Sequence, residues 1–477
     1  MLTISGSSFS PALRGIGEPY CHCLCRLLDR GVMAELRFPD SPVFYRVLDR
    51  SLPEVEKGAG IYLYDAAGRE YLDACGGALV VNIGHGRREV ASAMAEQASR
   101  VAYVHGTMFT TGALEEACGA LVELLPGDLD KVYLVAGGAE ATETAIKLAR
   151  QYHLARGKTG KYRVIGLWPS YHGNTLAALS VGGRAPLRAP YQPLLSDFPH
   201  VPAAYCYRCP WKAHPSNCGV LCAEELEALL KRDDPETFAA FIAEPISGSS
   251  AGAAVPPPEY FPRVREICDR YDLLFIADEI LTGLGRTGRY FAMEHFGVAP
   301  DILLLGKGLS GGYAPVGAVA VNRRLIEQIR EKFGNFAHGY TFSHHPVVAA
   351  ACRETLAILK GENLVERVER LGAYFLKKLT RLERFSFVGD IRGRGLLAGI
   401  ELVRDRETKE PFPRARKLVE EVTASAFQKG LLVYPSTGCA DGVDGDLITL
   451  APPFVIDEEG IDRIVARLDE TFAGLRP

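Results

Sequence analysis

The sequence predicts an α/β fold: a mainly parallel central sheet flanked by helices, followed by a smaller α+β C-terminal domain. Two observations predict it. Short runs that are apolar at every position recur between helix-like segments, which is the pattern of strands covered on both faces. Beyond about residue 343 the pattern shifts to long charged helices such as Glu362 to Leu382, with a strand over Gly395 to Val403. The expected organisation is an N-terminal extension over 1–32, a segment over 33–85 that packs with the small domain, a large domain over 86–342 and a small domain over 343–477.

The elements follow in order. Ile61 to Asp65 and Arg69 to Asp73 flank Ala66-Ala67-Gly68 as strand, turn and strand. Lys131 to Val135 is a buried strand, and after its glycines comes a helix with Ala141, Ala145, Leu148, Ala149 and Tyr152 on one face, closed by Gly157. Further strands are predicted at Tyr162 to Leu167, Ala239 to Ala243, Leu273 to Ala277, Ile302 to Leu305 and Gly317 to Val321. Pro256-Pro257-Pro258 bridges a strand end to a helix starting near Glu259.

Composition excludes several function classes. The chain has 477 residues, with 54 Lys and Arg against 58 Asp and Glu, and this near-balance argues against a nucleic-acid binder. No stretch approaches the ~18 uninterrupted apolar residues of a membrane helix. The first residues lack a basic and apolar secretory signal, so a soluble, cytoplasmic protein is expected. Cys21, Cys23 and Cys25 precede a second methionine, leaving the start at Met1 or Met33 open.

Three strand ends carry groups that suit one chemistry. Asp278 and Lys307 end neighbouring strands, and strand carboxyl ends face the ligand crevice in open α/β sheets. Alone they would be read as a structural ion pair. Ala136-Gly137-Gly138-Ala139-Glu140, however, leads straight into a helix, whose N-terminal N–H groups and dipole make an anion site. Together these are the requirements of a pyridoxal 5'-phosphate enzyme: a lysine anchors the cofactor, an acid keeps its pyridine nitrogen protonated, and the helix holds its phosphate.

At this point the chain resembles a known family. Gly138 to Arg150, Ser170-Tyr171-His172-Gly173-Asn174-Thr175, Glu244-Pro245, Asp278-Glu279 with Gly283 to Gly288, Gly306-Lys307-Gly308, His338-Gly339-Tyr340-Thr341 with His345-Pro346, and Arg392-Gly393-Arg394-Gly395 are similar to the ordered motifs of class III aminotransferases. The resemblance spans Asp73 to Pro453. It implies the fold-type-I pyridoxal phosphate architecture and an active homodimer or tetramer with sites at the interface. It implies that Lys307 is both the anchor and the proton-moving base, that Asp278 serves the pyridine nitrogen, and that Gly138, Ala139, His172 and Glu244 line the cofactor site. Tyr171 would stack on the ring and also face the substrate, Thr341 would reach the phosphate of the partner's cofactor, and Arg392 would bind a substrate carboxylate. Ala78 and Leu79 belong to the substrate loop, where several amine transaminases carry a large aromatic at the place of Leu79.

Departures from the pattern bear on the reaction. Members that use 2-oxoglutarate carry a glutamate where this chain has Ser249 and a glutamine where it has Leu281. Both changes resemble the ω-amino acid:pyruvate branch, which acts on β-alanine, taurine and amines. The implied activity is a ping-pong transfer of an amino group from an ω-amino acid or amine to a 2-oxo acid, pyruvate. A same-family aminomutase or dialkylglycine decarboxylase shares the cofactor residues and is separated by product analysis.

Two look-alike motifs suggest other classes. Gly283 to Gly288 fits the dinucleotide fingerprint, except that Asp278-Glu279 intervenes between strand and glycines. Gly308-Leu309-Ser310-Gly311-Gly312 fits a nucleophile elbow, with His338, His344 and His345 as bases for a serine hydrolase using Ser310. That reading leaves Lys307 and Asp278 unexplained. Finally, Cys206, Cys209, Cys218 and Cys222 form two pairs around Pro210, Pro215 and Gly219, read either as a structural thiolate zinc site or as packed thiols in a proline-rich loop. Catalysis requires no metal on either reading.

Overall fold

The computed structural model describes residues 41–476 apart from 49 and 215, together with the two-residue strand Glu35–Leu36. The extension over 1–32, its Cys21 to Cys25 cluster and the alternative start at Met33 lie outside the described residues.

A seven-stranded sheet organises the large part of the chain. From one edge to the other it runs Leu129–Val135, Gly317–Asn322, Ile302–Gly306, Leu274–Asp278, Phe238–Ala243, Arg163–Trp168 and His200–Pro202. Gly317–Asn322 is antiparallel to both its neighbours, and the other pairings are parallel. The exception has a simple cause. The link from Gly306 to Gly317 holds only a single turn of 3-10 helix at Lys307–Leu309 before the chain re-enters the sheet. A parallel return needs a crossover of a dozen or more residues.

Phe238–Ala243 and Ile302–Gly306 are buried at every position because helices cover both faces. Alternation along the strands separates the two layers. Phe241 and Phe275 stack on one face at 6.2 Å, and Phe261 of helix Tyr260–Arg270 lies 5.7 Å from Phe275. Ala240, Ile242, Leu274 and Ile276 point the other way, toward Ala141, Ala145 and Ala149 of helix Gly138–Ala155. The small alanines bring that helix close to the sheet. Each fully buried Phe, Ile or Leu here contributes about 1.5–3 kcal/mol.

The remaining sheets join distant parts of the sequence. The N-terminal strands Val55–Ala59, Tyr62–Asp65 and Glu70–Asp73 form a meander, extended in parallel by Leu431–Leu432. Its predicted turn is fixed by Asp65, whose Oδ1 accepts the N–H groups of Ala67 and Arg69. An antiparallel sheet holds Val388–Arg394, Leu397–Asp405, Asp446–Leu450 and Tyr434–Thr437 in that order. Helices Leu364–Leu379 and Glu458–Ala473 supply Val368, Phe375, Ile464 and Leu468 to the same core as Ile400 and Ile448.

Candidate active site

The cluster forms where the parallel strands end. Leu274–Asp278 and Ile302–Gly306 are parallel neighbours with Asp278 opposite Leu304, so Asp278 and Lys307 leave the sheet at one edge. Lys307 has a φ of 41°, a left-handed turn immediately after the strand. Asn82 Nδ2 donates to the Gly308 carbonyl at 3.0 Å and braces this turn. Asp278 Oδ2 lies 2.7 Å from His172 Nδ1, and Oδ1 accepts the Ile280 N–H at 3.1 Å. Glu244 accepts the Tyr171 N–H at 3.1 Å on one oxygen and the Gly248 N–H at 2.9 Å on the other. The Thr142 hydroxyl donates to the His172 carbonyl at 2.8 Å, tying the segment holding Tyr171 and His172 to helix Gly138–Ala155.

Two glycines let the glycine-rich turn approach. A Cβ on Gly317 would lie 2.3 Å from the Gly137 carbonyl oxygen, and one on Gly173, at φ +131°, would lie 2.8 Å from Ala139 Cα. The helix starts after Gly137 without a side-chain cap. Its first N–H groups, at Gly138 and Ala139, are therefore placed for an external anion. The bulk of Ile280 fills the space beside Gly138, which couples this turn to the strand of Asp278.

Charge inside the cluster follows from burial. Desolvation pulls the Lys307 ammonium down to about 8, against the opposing pull of Asp278 and Glu244. The same burial, with Asp278 nearby, raises the Glu244 carboxyl. Tyr171 is raised by desolvation, while Arg184 and Arg46 act in the opposite direction. The residues fit pyridoxal phosphate: an amine on one strand end, a braced carboxylate on the next and an uncapped helix start beside both.

Other predicted residues are placed differently. Leu79, at φ 62°, is buried against Ile246, Ala253, Leu397 and Ala451, with Leu281 and Tyr434 packed alongside, while Ala78 is exposed. Thr341 is exposed and makes no hydrogen bond to the cluster among the described residues. Arg392 does not present a free fork. Its guanidinium bonds Asp390 at 2.7 Å, the Tyr205 hydroxyl at 2.7 Å and the Ala251 carbonyl, and pairs with Glu401 at 2.9 Å. In this structure Arg392 is engaged by Asp390 and by Glu401, which it shares with Arg208, rather than free for a substrate carboxylate, and it borders a cavity of about 630 Å³ with Tyr205 and Tyr207.

The look-alike motifs resolve as well. The Ser310 hydroxyl donates to the Ala314 carbonyl at 2.6 Å and has no histidine partner among the described residues, which speaks against the hydrolase reading. Gly283 to Gly288 is a run of turns that opens no helix. Cys206, Cys209, Cys218 and Cys222 line one small cavity with Trp211, but among the described residues no group of three or more His, Cys, Asp or Glu is arranged to hold a metal.

Against this geometry, residues 46–472 match the family model for aminotransferase class-III. The chain belongs to the class III aminotransferases. It is 39% identical over 90% of its length to the uncharacterized aminotransferase YodT of Bacillus subtilis, covering 96% of that protein. It is 36% identical to the putrescine–pyruvate aminotransferase of Pseudomonas aeruginosa, over 88% of this chain and 91% of that one. The crystal structure of an (S)-enantioselective omega-transaminase from Thermomicrobium roseum matches with a TM-score of 0.85 at 36% identity, covering 91% of this chain and 95% of that one.

Sequence reasoning did not single out two residues that the structure of this aminotransferase places beside the cluster, Asn82 at the Lys307 turn and Arg184 near Tyr171. Asn82, 2% exposed beside the Lys307 turn, carries a local signal as a lone amide between Val81 and Ile83. Arg184 carries none, because its place depends on a fold of the chain back onto Ser170.

Proposed function

We propose that this aminotransferase uses pyridoxal 5'-phosphate to move an amino group from an ω-amino acid or amine to a 2-oxo acid, pyruvate, in a ping-pong cycle. The observation that carries the reading is the shared strand edge of Asp278 and Lys307, beside the uncapped start of helix Gly138–Ala155. When bound, the cofactor supplies an electron sink for the carbanion formed at the substrate carbon.

The chain's residues do the rest. Lys307 anchors the group and, once released, accepts and returns a proton at Nζ; its lowered affinity for protons leaves it neutral more often than an exposed lysine. Asp278, braced by His172, faces the pyridine nitrogen and keeps it protonated. Gly138 and Ala139 offer backbone N–H groups to the phosphate, Tyr171 covers the ring, and Glu244 fixes the Tyr171 backbone. Leu79, Leu281 and Tyr434 form the apolar wall against which the donor's carbon chain lies.

The active unit in this proposal is a dimer in the cytoplasm, with Thr341 reaching the partner's site. Tyr103, Met108, Phe109 and Phe342 are 41%, 74%, 64% and 57% exposed, and the Tyr103 and Phe342 rings are 6.3 Å apart, an apolar patch that adjoins Thr341. Pyruvate as acceptor is supported by Ser249 and Leu281 and by the putrescine–pyruvate relative. The deciding experiment measures transfer from one donor to pyruvate and to 2-oxoglutarate, with product analysis. Alanine as the main product is expected, and glutamate as the main product contradicts the acceptor choice.

A further inference from the structure

An acceptor such as pyruvate brings a carboxylate into the site, and a buried carboxylate needs a cation with donors to spare. Arg392 has none to spare. Turning it toward a substrate would take one charged partner from the fully buried Glu401, leaving it Arg208 and the Tyr205 hydroxyl, and would leave Asp390 unpaired.

Arg184 is in the opposite condition. Among the described residues its one side-chain hydrogen bond runs from a terminal guanidinium nitrogen to Ser249 Oγ at 3.3 Å. Its Nε is buried without a partner, and no carboxylate pairs with it among the described residues. Arg184 is half-buried, and a guanidinium with a shielded, unpartnered Nε and no paired carboxylate keeps donors that an anionic ligand can complete.

The backbone brings this arginine to the cofactor pocket. The Gly183 N–H bonds both the carbonyl and the hydroxyl of Ser170, each at 3.1 Å, which staples Arg184 beside Tyr171. Only glycine fits there, since a Cβ on Gly183 would lie 1.9 Å from the Leu167 carbonyl oxygen. Ser249 stands on the loop that begins at Glu244, and that glutamate holds the Tyr171 backbone. Ala185 and Pro186 pack under the loop of Gly438 and Gly442, so the arginine sits where the large sheet's edge meets the C-terminal sheet. Arg46, exposed, adds a second positive charge near Tyr171.

We infer that Arg184, assisted by Ser249 Oγ, is the residue that binds the substrate carboxylate in this enzyme and so sets its preference for 2-oxo acid over simple aldehyde acceptors. The inference rests on the proposed reading that a 2-oxo acid is the acceptor. The guanidinium donates to the carboxylate oxygens, and Ser249 supplies a neutral hydroxyl that orients the arginine without neutralising it.

The test compares the holoenzyme with Arg184→Gln, Arg184→Lys and Ser249→Asp. Pyruvate and acetaldehyde differ by the carboxylate alone, and propanoate is an unreactive carboxylate whose binding is read by calorimetry. In Arg184→Gln the ratio of kcat/KM for pyruvate to that for acetaldehyde is expected to fall about 10- to 100-fold, with propanoate binding weakened by a similar factor. Arg184→Lys should recover part of both. Ser249→Asp, which leaves the arginine in place but fills its donors, should weaken propanoate as Arg184→Gln does. An unchanged ratio together with unchanged propanoate binding in Arg184→Gln overturns the inference, as does a wild-type enzyme that binds no propanoate. If the wild type rejects all 2-oxo acids, the acceptor reading fails; loss of propanoate binding in Arg184→Gln would then still establish a carboxylate site.

Discussion

Lys307 combines burial with two nearby carboxylates, and burial wins: its proton affinity falls from the ordinary 10.5 to about 8. Reaction with the cofactor's aldehyde requires the neutral amine, so the rate of cofactor loading onto the apoprotein should rise with pH and level off above about 8. A loading rate that keeps rising toward 10.5 would show that the lysine is not desolvated. Asp278 acts through charge, and its two hydrogen bonds to His172 Nδ1 and the Ile280 N–H hold it in place. Asp278→Asn keeps the shape and removes the charge, so turnover should fall by about 100-fold or more while the melting temperature changes little. Wild-type turnover in that variant would remove Asp278 from its role. At this scale the placement of Lys307, Asp278, Tyr171 and His172 near one strand edge was legible, because each follows a readable strand or glycine signal. At Arg392 the sequence showed no sign of the internal partners. That side chain's charged neighbours, Asp390 within its own strand and Glu401 on the next, become partners only once Val388–Arg394 pairs with Leu397–Asp405.

Strands and turns position these groups through contacts that leave no room for a side chain. Gly317 begins the one antiparallel strand of the large sheet and lets the Gly137 carbonyl pass where a Cβ would stand. Gly317→Ala should push the glycine-rich turn away from the strand ends, destabilising the fold by about 1–3 kcal/mol. Cofactor retention on dialysis should drop with it, and an alanine variant with wild-type melting and retention would contradict this account. Phe238–Ala243, Leu274–Asp278 and Ile302–Gly306 were legible because each is buried at every position and apolar up to its last residue. Val388–Arg394 was not, since Asp390, Arg392, Gly393 and Arg394 give it neither an apolar run nor a clean alternation. The direction of Gly317–Asn322 was equally hidden in its residues and is set by the short link before it.

For the molecule as a whole, the exposed patch of Tyr103, Met108, Phe109 and Phe342 beside Thr341 should be covered by a second copy. Sedimentation of the holoenzyme is expected to give a dimer or a multiple of it. A fully active monomer that retains its cofactor would contradict the interface role of Thr341. We also propose the division of the chain near residues 86 and 343, which places the cluster between the large sheet and the C-terminal sheet. Pairing of Leu431–Leu432 with Glu70–Asp73 shows how far the small sheets reach across the sequence, a join that no local pattern announces. The central claim is that Lys307 and the strand-end cluster transfer an amino group to pyruvate. Its most direct measurement is the visible spectrum of the purified holoenzyme through two half-reactions. An amine donor added alone should bleach the cofactor band in an amount equal to the protein's sites, and pyruvate added afterwards should restore it and release one equivalent of alanine, with Lys307→Ala doing neither. A spectrum that amine and pyruvate leave unchanged, or a Lys307→Ala variant that completes both halves at the wild-type rate, would contradict the account.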